Sequence, residues 1–222
     1  GFRDVIVIEQ IFNDKIKNLI DARDIPLTRH GRMIRMEDDN VTSPYFLEFI
    51  NDGLDFYEND YRVISIGGYC PPINVPKNCG VDVFISHRFD PWGYGTWKDK
   101  FYNHFKPVDD SLWKELLQDP YFVHRALKDP GLEALRMIEQ EYLGKINAGD
   151  MRMIFWQLFY HTYSIYPIES LVKNIGQDGS GFHMGVTDRW NTEISTKDSF
   201  QFVKNIRPNR DILVLFSEFY NF

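Results

Sequence analysis

The strand-like run Arg32-Met33-Ile34-Arg35-Met36 ends in three consecutive carboxylates, Glu37, Asp38 and Asp39, and Ser43-Pro44 then opens an amphipathic stretch. Ligands of open α/β sheets gather outside the carboxyl ends of strands, and oxygen donors placed there suit a hard divalent cation. Mg²⁺ or Mn²⁺ bridging a diphosphate is the chemistry such a cluster serves. An isolated Glu-Asp-Asp run is more often a solvated loop that favours the next helix start through its dipole, so its context decides the reading.

Three further stretches carry chemistry-bearing residue types. In Arg88-Phe89-Asp90-Pro91-Trp92-Gly93-Tyr94-Gly95-Thr96-Trp97, glycines alternate with aromatics. Flat rings bind the apolar faces of sugars, and glycine lets a ligand approach the main chain, although a packed turn would use the same residues. Asp150 follows Gly149 at an expected helix start, where it serves either as an N-cap or, in a cleft beside a metal, as a general base for an attacking hydroxyl. The glycine-rich run Gly176-Gln177-Asp178-Gly179-Ser180-Gly181 could close over a ligand and carry His183 to a metal or a diphosphate. The remaining histidines, His30, His87, His104, His124 and His161, form no spaced ligand set.

These residues need elements to hold them. Val5-Ile6-Val7-Ile8 has the pattern of a buried strand, and Asn13 to Arg23 that of a helix with Ile16, Leu19 and Ile20 on one face, ended by Pro26. Met33 to Met36 follows as a strand. Ser43 is suited to an N-cap and Pro44 to the first helical position, and Phe46, Ile50, Leu54 and Tyr57 recur at helical spacing to about Asn59. Val63 to Ile66, stopped by Gly67-Gly68, and Val81 to Ile85 read as strands. Ser111 to Ile146 is helical, cut by Pro120 and Pro130, and Met151 to Tyr163 is an aromatic helix. Ser164 to Tyr166 and Leu171 to Ile175 read as short strands. This alternation predicts an α/β fold with a mostly parallel sheet flanked by helices.

With 222 residues, 43% of them hydrophobic and 16% aromatic, the chain can build one substantial core and still line a cleft with rings. Its net charge of −7 and pI near 5.4 argue against nucleic acid, which selects a clustered basic face. No run approaches the ~20 apolar residues of a membrane helix and no signal-peptide pattern opens the chain, so a cytoplasmic protein is expected, compatible with peripheral association at the inner face of a membrane. Cys70 and Cys79 flank a proline-rich loop and are expected as free thiols, since their spacing is no zinc signature. Opening at Gly1 and running directly into a strand pattern, the chain reads as a segment of a longer polypeptide.

In order, Met36-Glu37-Asp38-Asp39, Ser43-Pro44-Tyr45-Phe46-Leu47, Ser65-Ile66-Gly67-Gly68-Tyr69, Trp92-Gly93-Tyr94-Gly95-Thr96-Trp97, Tyr166-Pro167, Ser170-Leu171-Val172, Asn174-Ile175-Gly176, Asp178-Gly179-Ser180-Gly181 and His183 resemble bacterial sugar transferases of the GT-A type. More distantly the chain is similar to the eukaryotic N-acetylglucosaminyltransferase I family, which also uses a Glu-Asp-Asp run. The resemblance implies a GT-A-like, Rossmann-like single catalytic domain over 1–222, with a donor and metal half at 1–105 and an acceptor half at 106–222. It also implies that N-terminal nucleotide-binding strands lie outside this chain.

What the resemblance implies chemically is a metal-dependent, inverting glycosyltransferase of the hexosyl or N-acetylhexosaminyl class. The donor would be a nucleotide-diphosphate sugar held through Mn²⁺ or Mg²⁺, and the acceptor a glycan or lipid-linked hydroxyl in polysaccharide assembly. By position Asp39 would coordinate the metal with His183 on the closing loop. Asp38 would sit beside the ribose or sugar, Glu37 would hydrogen-bond the transferred sugar, and Asp150 would be the base. Trp92, Tyr94 and Trp97, with Gly93 and Gly95 between them, would shape the sugar pocket. The chain departs from the family where Asn13-Asp14-Lys15-Ile16 replaces a glycine-leucine turn and where Gln177 replaces an apolar residue. The competing expectation is a non-catalytic carbohydrate-binding or scaffolding module of the same fold.

Overall fold

The computed structural model describes residues 3–9, 11–12, 15–76, 80–179 and 186–221, with only the backbone at 15 and 16. In chain order its elements are α1 (Lys15–His30), β1 (Arg32–Arg35), β2 (Asn40–Thr42), α2 (Phe46–Tyr57), β3 (Val63–Gly67), β4 (Val83–Ser86), β5 (Tyr94–Trp97), α3 (Lys98–His104), α4 (Asp110–Gln118), α5 (Pro120–Lys128), α6 (Leu132–Tyr142), α7 (Gly149–Tyr160), β6 (Tyr163–Pro167), β7 (Val172–Asn174) and α8 (Arg210–Phe219). The α/β class expected from the sequence is the class observed.

The main sheet has the order β1-β5-β3-β6-β4, and β2 pairs with β7 in a separate ribbon. Among these strands only β3 and β6 run parallel, which corrects the mostly parallel sheet expected from the sequence. Parallel neighbours need a long crossover, usually through a helix. Here β3, β4 and β5 follow one another with no helix between them among the described residues, and the long helical excursion α3 to α7 returns the chain only at β6.

Side-chain alternation along the strands gives the sheet two apolar faces. Ile66, Val83, Ile85, Trp97 and Ile165 point to one side, where α2 lays Phe46, Phe49, Ile50, Leu54 and Tyr57 against them. A Cβ on Gly95 would stand 2.5 Å from Ile50 Cγ2, so glycine there lets α2 sit directly on β5. Met33, Ile64 and Tyr94 belong to the opposite core, built with α1 and the helices α3 to α7. Phe84 and Tyr166 meet Phe216 and Tyr220 beneath α8.

The helix boundaries follow their caps. Asp109 accepts from the Ser111 amide at 2.9 Å and Asp119 from the Tyr121 amide at 2.9 Å, and Pro120 takes the first position of α5. The expected cuts at Pro120 and Pro130 fall where the chain breaks between α4, α5 and α6. Three local expectations are corrected. α1 continues through Pro26 because Leu27, fully buried, anchors its last turn in the core. Ser43 spends its hydroxyl on the Tyr45 amide at 3.3 Å, one turn before α2 begins, and Tyr45 occupies the cap position. Val5 to Ile8 forms no strand: with no neighbour to complete a ladder, Val5 is 79% and Val7 76% exposed. Among the described residues no helix is long and apolar enough to cross a membrane. Cys70 is a buried free thiol, and Cys79 lies outside the described residues.

Candidate functional site

At the end of β1 the chain turns tightly through the three acids. The Glu37 amide donates to Asn40 Oδ1 at 3.1 Å, the Asn40 amide returns to the Glu37 carbonyl at 3.1 Å, and Asp39 Oδ1 accepts from Asn40 Nδ2 at 3.0 Å. Arg35, on the strand itself, donates to Glu37 Oε1 at 3.0 Å. Asp38 stands out in solvent while Glu37 and Asp39 are half-buried.

The ribbon of β2 and β7 brings a distant motif against this turn. Asn40 pairs with Asn174 in the ladder, and the Ile175 amide donates to the Asp39 carbonyl at 2.9 Å. Gly176 then lies so close to Asp39 Oδ2 that a Cβ on it would overlap that oxygen. The Glu-Asp-Asp turn and the Asn174-Ile175-Gly176 stretch, separated by most of the chain, therefore form one surface. Gln177, behind it, is 91% buried by its 9% exposure. His183 lies outside the described residues.

Asp150 enters from the other side, in the first turn of α7. It does not cap the helix, whose cap position is Ala148. Burial pushes its carboxyl above the usual range, while hydrogen bonds from its own amide and that of Met151, and the charge of Arg88, pull it back down. Burial likewise raises Glu37 against the pull of Arg35, and the charges of Asp39, Asp150 and Asp38 raise it further. Glu37 and Asp150 thus belong to one acidic region, in which the charge of Asp150 reaches Glu37.

A third carboxyl completes it, and sequence reasoning did not single it out. Asp90 is half-buried in the loop before β5, with Oδ1 accepting from the Trp92 amide at 3.0 Å. Burial pushes it up to about 7; the Trp92 amide and Arg88 oppose this, and Asp150 and Glu37 add to it. The signal available in the sequence was an acid opening the Pro-Trp-Gly-Tyr-Gly turn. Beneath the acids Arg88 is buried, paired with Glu133 at 2.8 Å, donating to the Pro130 carbonyl at 3.1 Å and seated 3.4 Å above the Tyr220 ring.

The aromatic stretch divides between site and core. Trp92 is half-buried beside Asp90, edge-on to Tyr69 at 4.8 Å and to Trp190 at 6.0 Å. Tyr94, 1% exposed, packs against Phe89 and hydrogen-bonds with Arg35, so it positions the arginine that holds Glu37. Trp97 is buried in the α2 core, with Lys100 Nζ 3.6 Å from its ring centroid. Gly93 has φ +70°, and a Cβ there would meet Val172 Cγ2 at 2.8 Å; with Gly95 it makes room for side chains packing behind the site. The structure therefore brings Glu37, Asp39, Asp150 and Trp92 to one region and gives Gly93, Tyr94, Gly95 and Trp97 supporting positions around it.

No protein-family model matches the chain, and no curated protein is significantly similar to it.

Chemically, the region offers the exposed or half-buried carboxylates of Glu37, Asp38 and Asp39 and the desolvated carboxyl of Asp150. Among the described residues no three His, Cys, Asp or Glu side chains come together to hold a metal by themselves. Mg²⁺ bound through one or two carboxylates and shared with substrate phosphates requires no such cage. The all-oxygen set of Glu37, Asp38 and Asp39 fits that mode.

Proposed function

We propose that this protein is a metal-dependent, inverting glycosyltransferase that moves a sugar from a nucleotide-diphosphate donor to a hydroxyl of a glycan or lipid-linked acceptor. The observation that supports this reading is the approach of the Glu-Asp-Asp turn to Asp150, whose charge raises the proton affinity of Glu37 although the two lie at distant points of the sequence. Such an arrangement separates the two tasks of glycosyl transfer, holding the departing diphosphate and deprotonating the attacking hydroxyl.

Asp39, with Asp38 beside it, would hold Mn²⁺ or Mg²⁺, which supplies charge neutralisation of the leaving diphosphate when bound. Glu37, fixed by Arg35, would accept a hydroxyl of the transferred sugar. Asp150 takes the acceptor proton: its raised proton affinity makes it a stronger base than a free aspartate, and the bond between acceptor oxygen and anomeric carbon forms as that to the diphosphate breaks. One base on one face gives inversion at that carbon.

The deciding experiment is calorimetric titration of UDP and GDP with and without Mn²⁺, on the wild-type chain and on Asp39→Ala. Metal-dependent binding that disappears in the variant supports the transferase. Glycan binding with no dependence on nucleotide or metal would replace it with a carbohydrate-binding module.

A further inference from the structure

Hydrogen bonds along β1 fix which way its main-chain groups face. The Lys98 amide donates to the Gly31 carbonyl at 2.8 Å, and the register pairs Arg32 with Trp97 and Arg35 with Tyr94. Hydrogen-bonded pairs alternate in an antiparallel ladder, so Met33 and Arg35 bond to β5 while the amides and carbonyls of Arg32 and Ile34 point away from the sheet. No other described residue takes up these groups, and β1 is the last strand on its side of the sheet. Arg32 and Ile34 are only half-buried, so this edge is open to a further strand.

The same chain carries a segment with the matching deficit. Val5-Ile6-Val7-Ile8 is apolar on both alternating faces, the pattern of a strand covered on both sides, yet it is largely exposed and makes no hydrogen bond among the described residues. Charge sets the direction in which the two would meet. Asp4 and Glu9 close the ends of the run; β1 has Arg35 at one end and, at the other, Arg32 with Arg29 and His30 in the last turn of α1. Antiparallel pairing with Val5 opposite Ile34 and Val7 opposite Arg32 sets Asp4 opposite Arg35 and carries Glu9 to Arg29 and His30. Parallel pairing would carry Glu9 to Glu37, Asp38 and Asp39 instead. Arg32 and Arg35 already bond to Asp55 and Glu37, but a guanidinium carries more N–H groups than one carboxylate takes up.

The chain's own segment cannot pair in that sense. Gly31, at φ +71°, turns α1 straight into β1, so helix and strand run in opposite directions where they pack. An antiparallel neighbour of β1 therefore ends beside the C-terminal end of α1, with the helix still to begin at its other end. The link from Glu9 to Lys15 reaches about 20 Å at full extension, whereas α1, with 16 residues, is about 24 Å long. We propose that β1 takes Val5 to Ile8 of a second copy as an added antiparallel strand and that the two copies exchange these segments. Exchange in both directions closes a two-fold dimer and covers both open edges.

The test is sedimentation velocity over a dilution series into the tens of micromolar, with hydrogen exchange followed at single amides. The wild-type chain is expected to dimerise, and dimerisation should slow exchange at Arg32 and Ile34 and at Val5 and Val7. Val7→Pro removes a ladder N–H from an exposed residue, so the dimer and the protection should both be lost while matched far-UV spectra show the monomer folded. Glu9→Lys should weaken the dimer about two- to fivefold, and more at low salt. A wild-type chain that stays monomeric, or a dimer that survives Val7→Pro, overturns the proposal. Protection of Arg32 and Ile34 that does not depend on concentration overturns it too, by placing the segment on its own β1. Association left unchanged or tightened by Glu9→Lys overturns the antiparallel sense and with it the choice of a second copy.

Discussion

Asp150 and Asp90 show how the surroundings of one residue type change its acidity. Asp150 sits at a helix start with two backbone amides on its carboxyl, so it is oriented as well as desolvated. Under the proposed mechanism Asp150→Asn keeps the shape and removes the base; we expect transfer to fall by about 10²–10⁴-fold while UDP and Mn²⁺ binding by calorimetry is unaltered. Asp90, raised from 3.8 to about 7, makes a prediction about stability. Its proton is held more tightly in the folded than in the unfolded chain, so its contribution is fully present below about pH 4 and is lost as pH rises to about 7. Asp90→Asn should therefore leave the melting temperature near pH 4 unchanged and raise it at pH 8. An equal shift at both pH values would show that charge on Asp90 is not the cause.

The β2–β7 ribbon and the loop before β5 are the elements that convert scattered residues into a site. Gly176 and Gly93 do different work there, and alanine separates the two. On Gly176 a Cβ displaces Asp39 Oδ2, so Gly176→Ala should cost about 10–100-fold in Mn²⁺-dependent UDP binding, with little change in melting temperature. On Gly93 the left-handed backbone and the contact with Val172 both penalise a side chain, so Gly93→Ala should destabilise the fold by about 1–2 kcal/mol or more, read by urea denaturation. The distinction is one the sequence could not make. Alternating glycine and aromatics in 92–97 read as a ligand-binding turn, yet four of those residues form β5, because Gly95 is spent on α2 and Tyr94 and Trp97 on opposite cores. The signals of α2, α4, α5 and α6 were legible because each has one apolar stripe, and that of α7 because its apolar residues run on without a break, being buried on all sides. Strand direction was not, since it depends on which strands become neighbours. Glu37 and Asp150 were singled out by the acid run and the helix start that carry them; Asp90, two residues from Arg88, was not, because the burial that raises it and the charges of Asp150 and Glu37 that reach it arise only on folding. α8 itself carried a signal in Asn209, which accepts from the Asp211 and Ile212 amides.

On the scale of the whole molecule, the two halves expected from the resemblance are interlocked. β6, from beyond residue 106, lies between β3 and β4, and β7 closes the ribbon with β2. Further ties cross the same line: Ser86 and His87 bond to Asp129 at the end of α5, and Tyr166 donates to the Arg88 carbonyl at 3.0 Å. The site is assembled across this line as well, with Glu37 and Asp90 on one side and Asp150 and Tyr220 on the other. Neither half can complete its sheet or its acidic region alone, so folding and assembly of the site should be one event. We expect urea unfolding followed by far-UV circular dichroism and by fluorescence of the five tryptophans, which lie in both halves, to give a single coincident transition. Tyr220→Ala, which removes a fully buried ring from beneath Arg88, should shift that transition by about 3–5 kcal/mol without splitting it, because the cavity opens under a residue that both halves share. Two separated transitions, or loss of the fluorescence change alone, would mean that the helical excursion α3 to α7 unfolds apart from the sheet and that the acidic region can come apart while the sheet persists.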